Sequence, residues 1–554
     1  MSFPRTLVIC CCLAMFVDAS LVLGHEQTVS RYQATQRAAM AKAALLAEGQ
    51  AQADPSRPTC KLTIELHDAK TKNPLAGTVR LTNLDSGKAV QLTGMIHRAL
   101  NWYSIPAQAI IEVPCSKLQL EAIHGIESET QILELDTTAT EQTVVKVPLY
   151  RFCDQRSQGL VGGNTHLHLM DMTYSEALDY LKKVPEADGL DLVFLSHLRR
   201  LPDESRYISN SIVENSFQPG GDLERLSRQG VLYANGEEHR HNFSRGGEGY
   251  GHVMFLDMPK LIRPVSIGPG IMEGQGSDGI PLQHGIKEAR DDGDTVIWCH
   301  NARGFEDVPN VMAGLIDALN INDGSTAKSY HDSFYKYLNL GRKVPFSTGT
   351  DWTIYDFSRV YVPVEGELTS KQWLTSLAAG KSFITNGAIL KFSVDNHFSG
   401  DTIALSEPGE LRVLASAAGR NDFHALELIY NGEIAHTAPS RPNEKHFTAE
   451  MDFRLKVNEP GWVALRVPEE AGKNEFDQDQ FAHTSPIYLE MAGHRIFRAD
   501  VANSLVEEIK ENMDTINAQG TFESDEQWSA VMQVHRQAIA TLQEWISQSS
   551  SSAP

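Results

Sequence analysis

The sequence predicts a mixed α/β protein with a central α/β domain, β-rich regions on both sides of it, and helices at the C-terminal end. Between about residues 159 and 385, short apolar runs alternate with helical stretches, a pattern typical of an α/β barrel or a layered α/β domain. On either side, segments such as 60–66 and 462–467 alternate with the period of two expected for strands. Over residues 505–547 the apolar positions predict two amphipathic helices.

The first 24 residues are predicted to be a signal peptide. Arg5 supplies a positive charge, residues 7–17 form an apolar run without charges, and small residues near Ala19 and Gly24 offer cleavage sites. The run is too short for a comfortable membrane span, and no later segment resembles one. We therefore expect an exported protein, periplasmic or extracellular, without a stable membrane span.

Changes in composition and periodicity predict the order of the remaining parts. Residues 25–58 are expected to form a helical segment that ends in a proline-containing linker. A small antiparallel β-sandwich is expected over residues 59–150, the α/β domain over 151–388 and a second β domain over 389–495. Residues 496–554 are expected to form helices followed by a disordered Ser-rich tail.

The α/β domain contains several apolar runs that predict strands. The strand candidates are residues 190–195, 230–234, 251–257, 295–299 and 344–348. The helix candidates are residues 174–183, 283–291 and 371–379. Active sites of α/β barrels form from polar residues at the C-terminal ends of the strands, so the residues next to these runs are the first candidates for function.

Net charge and cysteine content limit the partners and the compartment. With a formal net charge of −22 and no basic stripe, the surface repels the nucleic-acid backbone, so we expect a small-molecule substrate and no nucleic-acid partner. Cys60 and Cys115 lie in the first β-rich region, where an exported protein can oxidise them to a disulfide. Two separate buried thiols are the alternative. The sequence leaves the oligomeric state open.

His166 and His168 are the strongest indication of function. They end an apolar segment, and residues i and i+2 of a strand point to the same face, so both imidazoles can reach one metal ion. Imidazole suits zinc, iron and nickel alike. Taken alone, the pair is equally explained as part of a surface strand.

Four further candidate ligands stand next to apolar runs later in the chain. They are Glu238, His252, His300 and Asp351. Metal sites that hydrolyse esters need neutral imidazoles and carboxylates at several strand ends, with one position left open for water. Each residue alone is explained as a cap or a turn residue, but together with the His-x-His pair the set predicts a metal centre.

The order of these motifs resembles a known family. A His-x-His, a Gly-x-Glu with a Gly-His soon after, a strand-ending His and a Gly-Thr-Asp follow one another as in the PHP (polymerase and histidinol phosphatase) superfamily of metal-dependent phosphoesterases. The closer similarity is to its carbaryl-hydrolase-type branch, the CehA/McbA family. The resemblance covers about residues 59–490, and the segments that carry it are 163–168, 236–257, 296–304, 338–351, 359–362, 373–374, 379–387 and 482–486.

This resemblance implies a distorted (β/α)7 barrel with a divalent metal centre, one or two ions of zinc or manganese, at the C-terminal ends of its strands. One ion would be held by His166, His168, Glu238 and Asp351. The second ion would share Glu238 as a bridge and take His252 and His300. Glu237 is the neighbouring alternative for the bridging carboxylate.

The sequence departs from the family at a third metal site. Tyr174 and Thr353 stand where that site needs histidines, and only His197 remains. The resemblance therefore implies at most two ions. His197 is assigned a catalytic role instead, as a general acid or in orienting the substrate, with a hydrogen-bonded structural histidine as the alternative.

Other polar residues are candidates for contacts with the substrate. Arg303 lies on a predicted loop, where its fork of N–H donors can hold an anionic substrate group, and Arg359 can do the same. An ordinary surface ion pair is the alternative for each arginine. His239 and His241 either line the mouth of the site or lie on an exposed loop.

The sequence as a whole predicts an exported metal-dependent hydrolase. A metal-bound hydroxide would attack an ester-type bond, which is a carboxylic, carbamate or phosphate ester, with His197 and Arg303 as the catalytic residues. One alternative is a phosphatase or phosphodiesterase in the stricter PHP sense. The other is a non-catalytic glycan-binding protein of the cell envelope.

Overall fold

The computed structural model describes residues 58–139, 142–199, 206–228, 230–242, 249–264, 277–325 and 329–551. The predicted signal peptide and the helical segment up to residue 57 lie outside the described residues. The described part has mixed α/β content and ends in two long helices, which confirms the predicted fold class at this level.

Two sheets pack face to face in the N-terminal part. Their strands are β1 (Thr59–Asp68), β2 (Gly77–Asn83), β3 (Ile96–His97), β4 (Tyr103–Ile105), β5 (Gln108–Pro114), β6 (Lys117–Ile123), β7 (Gln131–Asp136) and β8 (Gln142–Leu149). One sheet has the order β5-β1-β8, the other β3-β4-β2-β6-β7, and buried residues such as Leu62, Val79 and Leu120 form a common core. Because β1 and β8 pair in parallel, the prediction of a purely antiparallel sandwich is wrong for the first sheet.

Cys60 and Cys115 form a disulfide in this region. Cys60 lies on β1 and Cys115 directly follows the neighbouring β5, which brings their Cα atoms to 5.2 Å. The bond joins two strands that also pair through their backbones. Of the two alternatives that the sequence leaves open, the structure therefore has the cross-linked one.

A large sheet with helices packed on it forms the centre. Its first strands are β9 (Leu160–His168), β10 (Leu192–His197), β11 (Leu232–His241), β12 (Gly251–Leu256), β13 (Thr295–Trp298), β14 (Ala318–Asn320), β15 (Phe346–Ser347), β16 (Asp351–Trp352), β17 (Arg359–Pro363) and β18 (Phe383–Thr385). The helices are α1 (Tyr174–Ala187), α2 (Ile208–Ser216), α3 (Asp222–Ser227), α4 (Leu282–Asp292), α5 (Asp307–Met312), α6 (Lys336–Leu338) and α7 (Ser370–Ala378). Shorter helical segments are the 3₁₀ turns Ala99–Asn101, Arg156–Gln158 and Asp323–Ser325 and the π turn His331–Tyr335.

Helix α1 shows how the local sequence sets a helix and its packing. Thr173 precedes the helix in an extended conformation, and its side chain and that of Glu176 each accept a hydrogen bond from the other residue's backbone N–H. Leu181 and Val184 then repeat at helical spacing and pack against Val193 of β10 in one buried cluster.

The first part of the central sheet folds back on itself. Its strand order is β15-β14-β13-β12-β11-β10-β9, and β16, a few residues beyond β15 in the chain, pairs with β9. All these pairings are parallel except those of β12, which is antiparallel to β11 and β13. Regular strand–helix alternation therefore fails at β11 and β12, between which the described part contains no helix. The reversal places the start of β12 beside the C-terminal ends of its neighbours.

The C-terminal β region is continuous with the central sheet. Its strands are β19 (Ile389–Val394), β20 (Thr402–Leu405), β21 (Gly409–Gly419), β22 (Ala425–Tyr430), β23 (Glu433–Pro439), β24 (Arg441–Asn443), β25 (His446–Val457), β26 (Gly461–Arg466), β27 (Ala482–Thr484) and β28 (Ile487–Met491). Strands β27, β26, β22 and β23 extend the central sheet beyond β18, whereas β19, β21, β25 and β24 form a second layer. Residues from both layers, such as Val413 and Leu428, share one core.

Two long helices end the described chain, α8 (Ala499–Gln519) and α9 (Asp525–Ser551). Their buried residues, including Leu505, Ile509 and Leu542, join the core of the central part. Because α9 continues to Ser551, the prediction of a disordered Ser-rich tail is wrong up to that residue. Among the described residues, no helix is both long enough and apolar enough to cross a membrane.

Candidate metal centre

His166 and His168 place two ring nitrogens side by side at the end of β9. They lie on the same face of the strand, both are fully buried, and their Nε2 atoms are 3.1 Å apart. The other ring nitrogen of each histidine, Nδ1, contacts an oxygen atom of another residue. His166 Nδ1 is 3.0 Å from Asp323 Oδ2, and His168 Nδ1 is 3.1 Å from the carbonyl oxygen of Ser196. Such outer contacts fix the orientation of metal-binding imidazoles.

Glu238 lies inside β11 rather than after a strand, because β11 continues to His241. Its Oε2 is 3.0 Å from His168 Nε2, and its Oε1 is 2.9 Å from His252 Nδ1. Glu237 points to the opposite face, where it accepts a hydrogen bond from the backbone N–H of Ile262. Strand alternation thus directs Glu238, and not Glu237, towards the histidines.

His252 and His300 complete a second group around Glu238. His252 is near the start of β12, and the reversed direction of that strand brings it to the edge where β9 and β11 end. His300 follows β13, and its Nε2 is 3.6 Å from Glu238 Oε1. Its backbone N–H donates to Asp323 Oδ1 at 2.9 Å, so one carboxylate supports both His300 and His166.

Asp351 is the first residue of β16, a separate strand of two residues that follows β15. Its Oδ1 is 3.4 Å from His166 Nε2 and 3.8 Å from His168 Nε2. The preceding Gly349 lies so close to β9 that an added Cβ would be 2.5 Å from the Cβ of His166, which explains the glycine of the Gly-Thr-Asp motif.

Several residues of this edge have strained backbones. Left-handed φ angles occur at the non-glycine residues His300, Asn301, Ala302, Asn322, Asp351 and Thr353. Each costs free energy, of order 1–3 kcal/mol for sparsely populated conformations, and such residues cluster where function requires a fixed geometry. Two of the candidate ligands, His300 and Asp351, are among these residues.

The six predicted ligands therefore meet as two buried groups that can each hold a metal ion. One group is His166, His168, Glu238 and Asp351, and the other is Glu238, His252 and His300. In the first group the Nε2 atoms of His166 and His168 lie 3.0 to 3.8 Å from each other and from the carboxylate oxygens of Glu238 and Asp351. Four ligands arranged tetrahedrally at 2.0–2.1 Å from an ion are roughly 3.4 Å apart, so the residues fit a metal without rearrangement. Asp351 Oδ1 is buried and accepts no hydrogen bond within the described part of the chain, as expected of a ligand atom.

The electrostatics of the cluster also favour a cation. Burial by itself would lower the pKa of His166, but the carboxylates of Asp351, Asp323 and Glu238 outweigh it and raise that pKa to about 9. Burial raises the pKa of Asp351. The three carboxylates thus need positive charge, which bound ions supply and ring protons otherwise provide. Imidazole nitrogens with carboxylate oxygens suit zinc, and carboxylates also suit manganese.

His197 lies on the other side of the sheet from this cluster. It ends β10, its Nε2 is 3.3 Å from Glu214 Oε1 on α2, and it pairs in register with Glu237. Burial lowers its pKa. Within the described residues its hydrogen-bond partner is thus an outer carboxylate, and the catalytic role predicted for His197 stays a prediction without geometric support.

The two predicted arginines differ in their environment. Arg359 donates to the backbone carbonyls of Phe357, Asp188 and Gly189, so it holds loops together and the prediction that it binds substrate is wrong. Arg303 lies on the partly exposed loop after His300, where its carbonyl accepts a hydrogen bond from the Trp298 indole. Its catalytic role stays a prediction.

His239 and His241 are neither at the mouth of the site nor exposed. Both are buried on the Glu237 face of β11, with His239 Nδ1 2.8 Å from Glu237 Oε1 and the two Nε2 atoms 3.0 Å apart. The period of two along the strand, which the sequence already contains, puts them on that face once β11 is known to continue past Glu238.

Three residues at the centre were missed by the sequence analysis. Arg240, two residues after Glu238, lies beside His252 and could have been found from strand alternation. Asp323 follows β14, a strand of three residues that is too short to recognise as an apolar run. The Trp352 ring lies 5.4 Å from the ring of His168 and forms an aromatic wall on that side.

No family model, curated protein or solved structure matches this chain. The resemblance to the PHP superfamily therefore rests on the order of the sequence motifs alone and stays a prediction.

Proposed function

We propose that this protein is a metal-dependent hydrolase of ester-type bonds, related to the CehA/McbA branch of the PHP superfamily. The observation that carries the proposal is the pair of ligand groups that share Glu238. A carboxylate common to two groups is what a centre with two neighbouring ions requires. An isolated structural site would need only one closed set of four ligands.

The path of the central sheet supports the same proposal. Strands β9 to β14 would be six strands of a distorted barrel, with β12 reversed, and the short consecutive strands β15 and β16 would together be the seventh. The ligands stand at one edge of this sheet, where α/β barrels place their active sites. We further propose export of the protein, which the Cys60–Cys115 disulfide supports because such bonds persist in oxidising compartments.

When bound, the divalent ions would supply a water of lowered pKa as the nucleophile and would polarise the ester oxygen. The residues of the chain have separate tasks. Glu238 would be shared by both ions, and Asp351 would complete the first group. Asp323 holds the His166 ring through Nδ1, so that Nε2 of the same ring would face the ion. Trp352 would form an aromatic wall beside His168.

Elemental analysis of the purified protein, followed by a panel of chromogenic carboxylic, carbamate and phosphate esters, tests this function. We expect up to two ions per chain, hydrolysis of at least one ester class, loss of activity on chelation and recovery when zinc or manganese is restored. A protein that keeps its full activity after chelation, or that hydrolyses no ester when loaded with metal, contradicts the proposal. Three tightly held ions would contradict the assignment of two groups.

A further inference from the structure

Arg240 is a buried cation next to the metal centre. It shares a face of β11 with Glu238 and lies opposite His252 in the antiparallel pair with β12. Its Nη1 is 3.5 Å from His252 Nε2 and 3.7 Å from Glu238 Oε1. Only 8% of the side chain is exposed, yet Nε and Nη2 have no hydrogen-bond partner among the described residues.

The two unpartnered atoms form one edge of the guanidinium group. Elsewhere in this chain the same edge binds both oxygens of a carboxylate, with donor–acceptor distances of 2.6 to 3.0 Å. The pairs are Arg80 with Glu121, Arg206 with Asp171 and Arg412 with Asp452. Burial of a charged donor without a partner costs free energy, so the free edge of Arg240 points to a ligand that supplies two oxygens.

We infer that Arg240 binds an oxyanionic group of the substrate, with one oxygen on Nε–H and another on Nη2–H. Phosphoryl and carboxylate groups share this chemistry. The inference rests on the proposed function, since the substrate has to lie at the ion-loaded centre. The negative charges of the Glu238, Asp351 and Asp323 carboxylates are fewer than the positive charges of two divalent ions and Arg240. The metal-loaded centre therefore attracts an anion.

Calorimetric titration of the metal-loaded, full-length protein tests the inference, with inorganic phosphate in one series and acetate in the other. The variants are Arg240→Gln, Arg240→Lys and, as a matched control, Arg412→Gln, which removes the same charge from an exposed ion pair. Metal content and thermal unfolding are measured for each variant.

We expect the wild type to bind at least one of the two anions, and Arg240→Gln to weaken its Kd about 10- to 100-fold while both ions are retained. Arg240→Lys should recover only part of the affinity, because lysine keeps the charge without the fork. Arg412→Gln should match the wild type. Tighter binding of phosphate assigns a phosphoryl group, and tighter binding of acetate a carboxylate.

An unchanged Kd in Arg240→Gln, or no binding of either anion by the metal-loaded wild type, overturns the inference. If Arg240→Gln loses its ions or unfolds, Arg240→Lys decides instead. Wild-type affinity in Arg240→Lys overturns the claim that two N–H groups of the guanidinium bind the anion. If anion binding depends on Arg240 but no ester is hydrolysed, the proposed function fails and the oxyanion site stands.

Discussion

The two faces of strand β11 carry similar side chains and use them differently. On one face, the carboxylate of Glu238 lies between His168 and His252, which belong to two other strands. On the opposite face, Glu237 contacts His239 of its own strand, 2.8 Å away. All of these side chains are buried. A carboxylate beside an imidazole is therefore common to both faces, but among the described residues it is Glu238, and not Glu237, that belongs to groups able to hold a metal ion.

The two faces of β11 also differ in the charge states that their surroundings favour. On the Glu237 face burial dominates, since it raises the pKa of Glu237 to about 7 and lowers that of His239 to about 3, which favours uncharged forms. On the Glu238 face the carboxylates outweigh burial and raise the pKa of His166 to about 9. A metal centre thus requires several charged groups that converge. The single buried pair of Glu237 and His239 needs no bound ion, because both side chains favour their uncharged forms.

Loss of Asp351 should have the largest effect among changes that leave Glu238 in place. Asp351→Asn removes a negative charge from the first group and leaves the three ligands of the second group, Glu238, His252 and His300, in place. We expect one ion to be lost, the other retained, and hydrolysis to fall to the detection limit. Elemental analysis and ester assays measure this, with the exposed Asp452→Asn as a control. Retention of both ions at wild-type affinity would contradict the assignment of Asp351 as a ligand of the first group.

A smaller effect is expected at Asp323, which supports ligands without being one of the six. Asp323→Asn weakens the contacts with His166 Nδ1 and the backbone N–H of His300. We expect metal affinity to fall by about 10- to 100-fold, with activity restored at high metal concentration. Metal titration monitored by ester hydrolysis measures the shift. An activity that excess metal does not restore would mean that Asp323 takes part in the reaction itself.

The smallest effect concerns stability alone and the other face of β11. Gly285 of α4 lies so close that an added Cβ would be 2.3 Å from His239 Nε2. Alanine normally stabilises a helix relative to glycine, but here Gly285→Ala should lower the free energy of unfolding by about 1–3 kcal/mol. Denaturant unfolding measures this, and metal content should not change. Loss of an ion in this variant would show that the two faces are coupled.

The sequence predicted the residue types at the centre better than the strands that carry them. His166, His168, His300 and Asp351 stand next to recognisable apolar runs, whereas Glu238 was assigned from the resemblance, with Glu237 left as the alternative. The reversed direction of β12 was not predictable, because its apolar run reads the same in either direction. Nor was the continuity of the C-terminal strands with the central sheet, which depends on long-range pairing through β18 and β27.

The residues that were missed or misplaced share a physical reason. β11 continues through polar residues as far as His241, because β12 supplies backbone partners there, whereas the pairing with β10 ends at Glu237. A charged sequence inside a strand looks like a loop until those partners are known, which is why Arg240 was overlooked and His239 was expected near the surface. Arg359 was misplaced because its backbone acceptors come from a loop far away in the sequence.

The metal content of two matched variants tests the central claim most directly. Glu238→Gln and Glu237→Gln make the same change at adjacent residues on opposite faces of β11. We expect Glu238→Gln to release the second ion and abolish hydrolysis, because two neighbouring dications lose their shared negative charge. We expect Glu237→Gln to keep both ions and its activity. If Glu237→Gln is the variant that loses metal, or if both variants keep two ions and full activity, the account of a centre bridged by Glu238 is contradicted.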